Sequence, residues 1–447
     1  MSLRAKTKNP ANIFSHETLL HIFESLSSRD IVALERVSKS WKSIAQNSSV
    51  WHNLFLSEFG KNRIRRRARI SKARKNWKNE FKSESNWNSG NCKKEVFSLS
   101  KNQNICLTKE PADEAKFKVA LLHEGRVYTC NTKMLYEWSF NENKMTCLNT
   151  ISFPEEYKSN SPITMCVDGD NFYIALETGA VLHTKLTQNG FSDLNSILHI
   201  DSPLKSLSVR HNLLCGLTKD KSLCMFKNKS LSSISFQLLG KFSVSGVKDP
   251  ISIHIELDLS RSRKILIVQL AYSEYVIAHG WTIGLQEFWI TDSTIVKNRV
   301  GQRQVSDIVF SSQPASGVYQ QGPYVLSSHA DNTLMLHYIS SGLDSSRIQW
   351  GIQLRGHVCG VEKSKLFECG KIISVSRNCT EICLWDLQNF REAEEFRPFM
   401  IESKLIFSRY IQDYEQSKTH VQDIELFDDT VMITLSDGNV MAFLFYA

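Results

Sequence analysis

The side chains best able to do chemistry in this 447-residue chain are its 13 histidines and 11 cysteines. The cysteines are scattered singly through strand-like segments and their number is odd, the pattern of reduced thiols. Cys379 and Cys383 are the closest pair, yet no second pair or histidine couple follows to complete a zinc tetrahedron. No metal and no cofactor are expected. The chain has no Gly-x-x-x-x-Gly-Lys phosphate loop, no His-Glu-x-x-His, no Gly-x-Ser-x-Gly and no kinase signature. Because no acid and base can be named as a pair, a hydrolase ranks last among the functions open to it. A non-catalytic binding protein is the expectation.

Binding chemistry is more concentrated. Between Lys61 and Lys82 lie 11 basic residues against one acid, Glu80. The whole chain has a formal charge of +8, so everything outside this +10 segment sums to −2. Ile70, Ala73, Trp77 and Phe81 fall on one stripe, which predicts a helix with its charges on the other faces. A solvated connecting helix and an import signal within 65–75 both fit such a run. Nucleic-acid binding ranks below them: only Trp77 and Phe81 offer rings for stacking, and no recognisable reading module is present.

The elements that must position these groups are of two kinds. From Phe14 to Leu54 the pattern is helical: Leu19, Ile22, Phe23 and Leu26 share one face, Ile31, Leu34 and Val37 a second, Trp41, Ile44 and Ala45 a third. A fourth begins at Ser48-Ser49 with Trp51, Leu54 and Phe55 on one side. Ser15 and the Ser27-to-Asp30 stretch supply caps. About forty residues have too little interior to bury this many large apolar groups, so part of the surface needs a partner. From residue 91 onward the pattern changes to short strands and tight turns.

The 42% apolar and 22% charged fractions are those of an ordinary globular chain. No apolar run reaches the ~18 residues of a membrane helix, and the first ten residues lack the apolar centre of a secretory signal. A cytoplasmic or nuclear protein, or one found in both, is expected.

The N-terminal residues Phe14-Ser15-x-Glu17-x-Leu19-x-x-Ile22-Phe23-x-x-Leu26, Asp30-Ile31, Val37-Ser38-Lys39-x-Trp41-x-x-Ile44-Ala45 and Val50-Trp51-x-x-Leu54 resemble an F-box. That resemblance implies docking to the Skp adaptor and, through it, to the cullin and RING subunits of an SCF ubiquitin ligase. It implies an adaptor-binding set of Phe14, Leu19, Ile22, Phe23, Leu26, Ile31, Leu34, Val37 and Trp41. Phe14-Ser15 stands where the family opens with Leu-Pro; serine replaces proline's pre-formed first turn only by capping.

Seven turns lie about 40–60 residues apart, near the spacing of four-stranded propeller blades. They fall at Asn131-Thr132, Glu177-Thr178-Gly179, Lys219-Asp220, Trp281 to Gly284, Asp331-Asn332, Asn378 and Asp437-Gly438. The most specific copy runs from Gly356-His357 to Trp385-Asp386 and resembles a WD repeat, with Glu381 as an apparent extra residue. In WD repeats the position of His357 serves an internal hydrogen-bond network. The last blade shows three strands, and Glu95 to Leu99 is placed to supply its fourth, since an open edge invites aggregation.

The expected architecture is therefore a multidomain α plus all-β chain. A disordered N-terminus covers 1–12, the F-box 13–59, a basic helical linker 60–90 and a divergent, seven-bladed WD-like β-propeller 91–447. Resemblance to F-box/WD-repeat proteins implies a substrate receptor of a ubiquitin ligase, with no catalysis of its own. In that family, some propellers recognise phosphorylated segments through arginines at one face. Arg377 sits at a matching turn, Lys133 and Lys219 in equivalent ones, and all three also fit ordinary exposed charge. An adaptor-binding scaffold with no ubiquitination role would have the same sequence.

Overall fold

The computed structural model describes residues 14–67, 76–99, 117–387 and 403–446, apart from 142–143, 188–189, 230–233, 245, 259–263, 292–293, 304, 306–307, 343–345, 411–418 and 428. The expected disordered residues 1–12 lie outside these, as do Ile70, Ala73 and most of the 65–75 import-signal candidate. The chain divides into two units, one of residues 1–93 with 428–430 and 444–447, the other of 94–427 and 431–443.

The first unit is helical: α1 (His16–Glu24), α2 (Ser28–Leu34), α3 (Lys39–Ala45), α4 (Ser48–Arg67) and α5 (Trp77–Ser89). Three of these helices begin on a serine whose hydroxyl accepts a bond from an otherwise orphaned first-turn N–H. Ser15 takes Thr18 (3.2 Å), Ser27 takes Asp30 (3.3 Å) and Ser38 takes Trp41 (3.2 Å). Asn47, rather than the serine pair after it, does this for α4, accepting from Ser49 N at 2.9 Å. Gly60, at φ 78°, interrupts α4 in the left-handed region open to glycine and separates the helix ending at Phe59 from the basic continuation.

The single basic helix expected over 61–82 is not what forms. Asn76 caps a new helix at Trp77, its Oδ1 accepting from the N–H groups of Lys78 and Asn79. Helix α5 places buried Phe81 and half-buried Trp77 in one core with Leu19, Phe23, Ile31, Ile44, Trp51 and Phe55. Trp51 and Phe81 meet edge to face at 5.4 Å, and Trp51 Nε1 donates to Ala45 O at 2.6 Å. Further along α5, Trp87 is fully buried, stacked on Phe445 at 3.6 Å and donating to Asp429 Oδ1 at 2.8 Å. The part of the apolar surface that lies on α4 is thus covered by α5.

The second unit is all β, with seven sheets that are antiparallel except where the short strand Gln302–Arg303 pairs parallel with Ser346–Arg355. Blade 1 comprises Val119–His123, Arg126–Cys130, Met134–Asn141 and Lys144–Ser152. Blade 2 comprises Pro162–Asp168, Asn171–Leu176, Ala180–Thr187 and Asn195–His199, and blade 3 Leu204–Arg210, Leu213–Thr218, Ser222–Asn228 and Phe236–Ser243. Blade 4 has the long strands Lys248–Asp258, Ile265–Val276 and Gly280–Thr291, then Thr294–Val300. Blade 5 comprises Ala315–Gln321, Tyr324–His329, Thr333–Ser341 and Ser346–Arg355; blade 6 comprises Val361–Leu366, Lys371–Ser376, Glu381–Leu387 and Ser403–Tyr410. The last blade contains Val421–Phe427, Thr430–Leu435 and Asn439–Leu444, and its outer strand is Lys93–Ser98. The sequence expectation for Glu95 to Leu99 is met.

The first strands of the seven blades neighbour one another in a closed ring. Facing sheets bury Leu, Ile, Val and aromatic side chains between them, as in the Tyr128, Phe172, Ile174 and Leu182 cluster of blades 1 and 2. Leu99, Trp138, Met432 and Val440 fill the closing seam. One turn differs from its expected position: Trp281 to Gly284 lie inside a strand of blade 4, and the hairpin turns at 277–279.

Truncating Phe81, which lies outside the 13–59 segment, empties the middle of the helical core. Phe81→Ala should cost about 3–5 kcal/mol, seen as loss of the helical unfolding transition to lower denaturant in the full chain. Phe14→Ala, at a side chain 47% exposed, should leave that transition in place.

Candidate interaction surfaces

Helix burial sorts the expected adaptor-binding residues into three groups. Leu19, Phe23 and Ile31 are 4%, 1% and 0% exposed and lie in the unit's own core, so they are not available to a partner. Leu26, Leu34 and Trp41 are half-buried against that core, and Trp41 meets Phe23 edge to face at 5.6 Å. Phe14, Ile22 and Val37 are exposed, and Val32, which the motif did not single out, joins them. The cause is geometric: a stripe spaced i, i+3, i+4, i+7 spans about 100° of a helix, and only its centre reaches the core. The flank of α1 carrying Ile22 stays outside.

In the propeller, the turns between second and third strands and the connections between blades emerge at the same end, because each sheet is an antiparallel meander. Blade 6 is held there by a buried polar network. His357 Nδ1 is 3.0 Å from Glu381 Oε2, His357 Nε2 is 2.7 Å from Ser374 Oγ, and Trp385 Nε1 donates to the same Oγ at 2.9 Å. Glu381 also accepts from Val358 N (2.9 Å) and Cys359 N (3.3 Å). Glu381 is therefore no extra residue; it is the acid that orients the histidine and ties the incoming connection to the third strand. A serine, a histidine and a carboxylate in line have the geometry of an activated nucleophile, but Ser374 is fully buried and spent on Trp385. The same holds for metal binding: His357, Glu381 and Cys383 have donor atoms within 4.8 Å of one another, yet both imidazole nitrogens are hydrogen-bonded.

Blades 1 and 4 carry comparable buried acids. Glu137 accepts from Arg126 and Asn149. Glu287 accepts from Gln269 (3.1 Å), Arg299 Nε (2.8 Å) and Ser341 (2.6 Å), tying blade 4 to blade 5. Burial opposes the Glu287 charge, but these donors hold its carboxyl below the usual range. Nothing in the sequence marked Glu137 or Glu287, because a lone acid in a strand reads as solvent-facing.

Of the three cations proposed to read phosphate, Lys219 is already neutralised: its Nζ lies 2.6 Å from Glu177. Lys133 is half-buried and its carbonyl accepts from Phe153 N. Arg377 is exposed on the short 3-10 turn Arg377–Cys379, its backbone N–H donating to Gly360 O at 2.8 Å. The three do not form a set. At the blade connections, a cleft of about 380 Å³ is lined by Lys205, Ser206, Leu217, Asp249, Ile251 and Ser316.

Burial holds several histidines neutral. His337 is pushed down to about 3, and His183 and His254 to about 4, in each case first by desolvation. Above pH ~6.5 both folded and unfolded chains leave these rings neutral; below it the unfolded chain takes up protons that the folded one refuses. Stability present above pH ~6.5 is therefore lost as pH falls toward the folded values, at most about 1.4 kcal/mol per pH unit for each histidine. His337→Gln should remove its share of that slope between pH 6.5 and 4, measured as the difference in urea midpoint between the two proteins.

Comparison with known proteins matches both units. A family model described as F-box-like matches residues 16–57, and one described as the F-box protein pof12 beta-propeller matches residues 104–408. F-box protein pof12 of Schizosaccharomyces pombe (strain 972 / ATCC 24843) is 40% identical over 445 residues, covering all of both chains. Among solved structures, the WD40 β-propeller domain of Doa1 aligns with a TM-score of 0.45 at 12% identity, over 73% of this chain and 92% of that one. The computationally designed Ika8 protein aligns with the same TM-score at 13% identity, over 74% and 96%. An F-box followed by a seven-bladed propeller, matched along its whole length by one such protein, places the chain in the pof12 family of F-box proteins.

Proposed function

We propose that this chain is the substrate-recognition subunit of an SCF-type ubiquitin ligase. In this reading the F-box helices dock a Skp adaptor, which brings cullin and RING subunits, and the propeller holds a protein substrate for ubiquitination and proteasomal degradation. The observation that carries the reading is the exposed apolar set of Ile22 and Val32 on α1 and α2 with Phe14 and Val37 beside them, next to a core that is already filled without it. A contiguous apolar patch left in water suits a surface that another protein covers, and these side chains would supply one.

The chain's own contribution would be tethering, not chemistry. Holding an acceptor lysine near the activated ubiquitin raises its effective concentration, and that needs two binding surfaces on one chain. Such a receptor would work in the cytoplasm, the nucleus or both. The second reading, an adaptor-binding scaffold that delivers no substrate, is favoured by the same apolar set and differs only in its assembly with cullin.

Phe14→Ala with Ile22→Ala tests the docking surface without touching the core. Truncation of central interface side chains commonly costs ~2 kcal/mol or more, about a thirtyfold loss of affinity. Full-length wild type should capture Skp adaptor and cullin together, and the double variant neither, with unchanged far-UV circular dichroism. Adaptor captured without cullin would favour the scaffold, and no capture by wild type would remove the receptor reading.

A further inference from the structure

The first strands of blades 3, 4 and 5 each carry a bulge near their start. In blade 3, Leu204 faces Thr218 and Ser206 faces Leu217, which leaves Lys205 as the extra residue. In blade 4, Lys248 faces Ser273 and Ile251 faces Tyr272, which leaves Asp249 and Pro250; in blade 5 the extra residue is Ser316. A bulge takes its extra residue out of the ladder and re-aims the side chain. All four of these residues line the cleft of about 380 Å³, with Leu217 and Ile251 from the regular parts of the same sheets. Blades 2 and 6 have the same bulge, at Ile163 and Glu362, but neither residue reaches this space. Three bulges in successive blades thus open on one cleft, whose volume is at the low end of ligand pockets, about 300–1,000 Å³.

Hydrogen bonds across the connections hold the walls. From the second-to-third-strand turn of blade 3, Lys219 N donates to Pro203 O at 2.8 Å, two residues before Lys205. Lys221 O accepts from Val244 N at 2.9 Å, and Lys221 Nζ donates to Val247 O at 2.9 Å, two residues before Asp249. One turn therefore fixes both segments that lead into the cleft from blades 3 and 4. On the blade 5 side, Ala315 N donates to Ser273 Oγ at 3.2 Å and Ser316 Oγ donates to Val361 O. A space with walls fixed in this way exists before anything binds, which spares a ligand the cost of ordering them.

The lining is apolar with one charge of each sign. Leu217, Pro250 and Ile251 form the apolar part, Leu217 and Ile251 as the exposed margin of the core between blades 3 and 4. Lys205 Nζ and Asp249 Oδ1 make an ion pair across those two blades, with side chains 42% and 48% exposed. Neither partner is used up by it, because an ammonium has three donors and a carboxylate two oxygens. Lys248, the neighbouring cation, sits 5.1 Å over the Trp281 ring and does not line the cleft. The charges within the lining therefore cancel, and what they still offer is a donor beside an acceptor.

We infer that this cleft anchors a peptide segment of the substrate. One large apolar side chain, of leucine, methionine or phenylalanine size, enters over Leu217, Pro250 and Ile251, while Lys205 donates to a C=O and Asp249 accepts from an N–H of the peptide groups beside it. A lining whose charges cancel gives little to a lone anion or cation. A peptide group brings the acceptor and the donor that this pair can still engage. Burial of the side chain supplies affinity, and the two hydrogen bonds set the direction in which the segment lies. The inference rests on the substrate-receptor reading and names the chemistry by which the propeller takes its substrate.

The test is to pan a displayed library of random linear peptides on the purified full chain and measure the best binder by fluorescence anisotropy. Enriched peptides should share one large apolar position, and serine in its place should weaken binding about thirtyfold. With the photo-crosslinker p-benzoylphenylalanine at that position, crosslinks should map to Lys205, to Asp249, Pro250 or Ile251, or to Ser316. Lys205→Ala and Asp249→Ala, at exposed side chains, should each weaken binding about tenfold with unchanged melting, the loss of one charge-assisted hydrogen bond. No enrichment, crosslinks confined to other blades, rim variants that bind like wild type, or affinity that follows a phosphate instead of the apolar residue would each overturn the inference. Skp adaptor capture, read on the same samples, separates the two levels. Peptide loss with the adaptor retained is the expected pattern for the rim variants, and a wild type that binds peptide but no adaptor would overturn the ligase reading alone.

Discussion

The propeller depends on one non-covalent closure: Lys93–Ser98 forms the outer strand of the sheet whose other strands lie within residues 421–444. A blade is a twisted sheet with two apolar faces, and neither is buried unless a neighbour stands on each side. Without that strand the last blade would have an open edge. With it, Leu99 N donates to Gly438 O at 3.0 Å, and Leu99 joins Trp138, Met432 and Val440 in a seam no different in kind from those between other blades.

Once the ring is closed, the burial it creates makes polar groups expensive unless they are paired. Two buried acids are each answered by several donors: Glu381 by His357 and two backbone N–H groups, Glu287 by a glutamine, an arginine and serines. These networks join strands that are distant in sequence, which is why blades with eroded repeat signatures still hold their turns in register. In blade 6 the same network holds Val358 in the connection from which its side chain stands out into solvent.

The helical unit solves the opposite problem. Forty residues are too few to enclose their own aromatics, and α5 supplies Phe81 and Trp77 to complete the interior. The division of α1 into Leu19 and Phe23 inside, Ile22 outside, then follows from which flank meets α3 and α4, the helices it packs on. The helical surface and the interior are two edges of one apolar stripe, and both are set by how much of it the unit can cover.

The sequence by itself determined the element types, the serine starts of α1 and α2, the seven-fold recurrence of turns and the need for a closing strand. These are local or periodic signals: side-chain spacing, cap chemistry and turn residues act within a few positions. It also carried the F-box and WD-like patterns, whose information lies in spacing. Only the tertiary structure decided which F-box residues face inward, because that depends on how α1 and α2 pack against α3 and α4 and not on the spacing within any one helix. It decided that Glu381 is a network acid and not an insertion, that Lys219 is neutralised by Glu177, and that the blade 4 hairpin turns at 277–279, next to Trp281 paired with Ser311. In each case the deciding partner lies tens of residues away in sequence, where pattern has no reach and packing alone sets the neighbour.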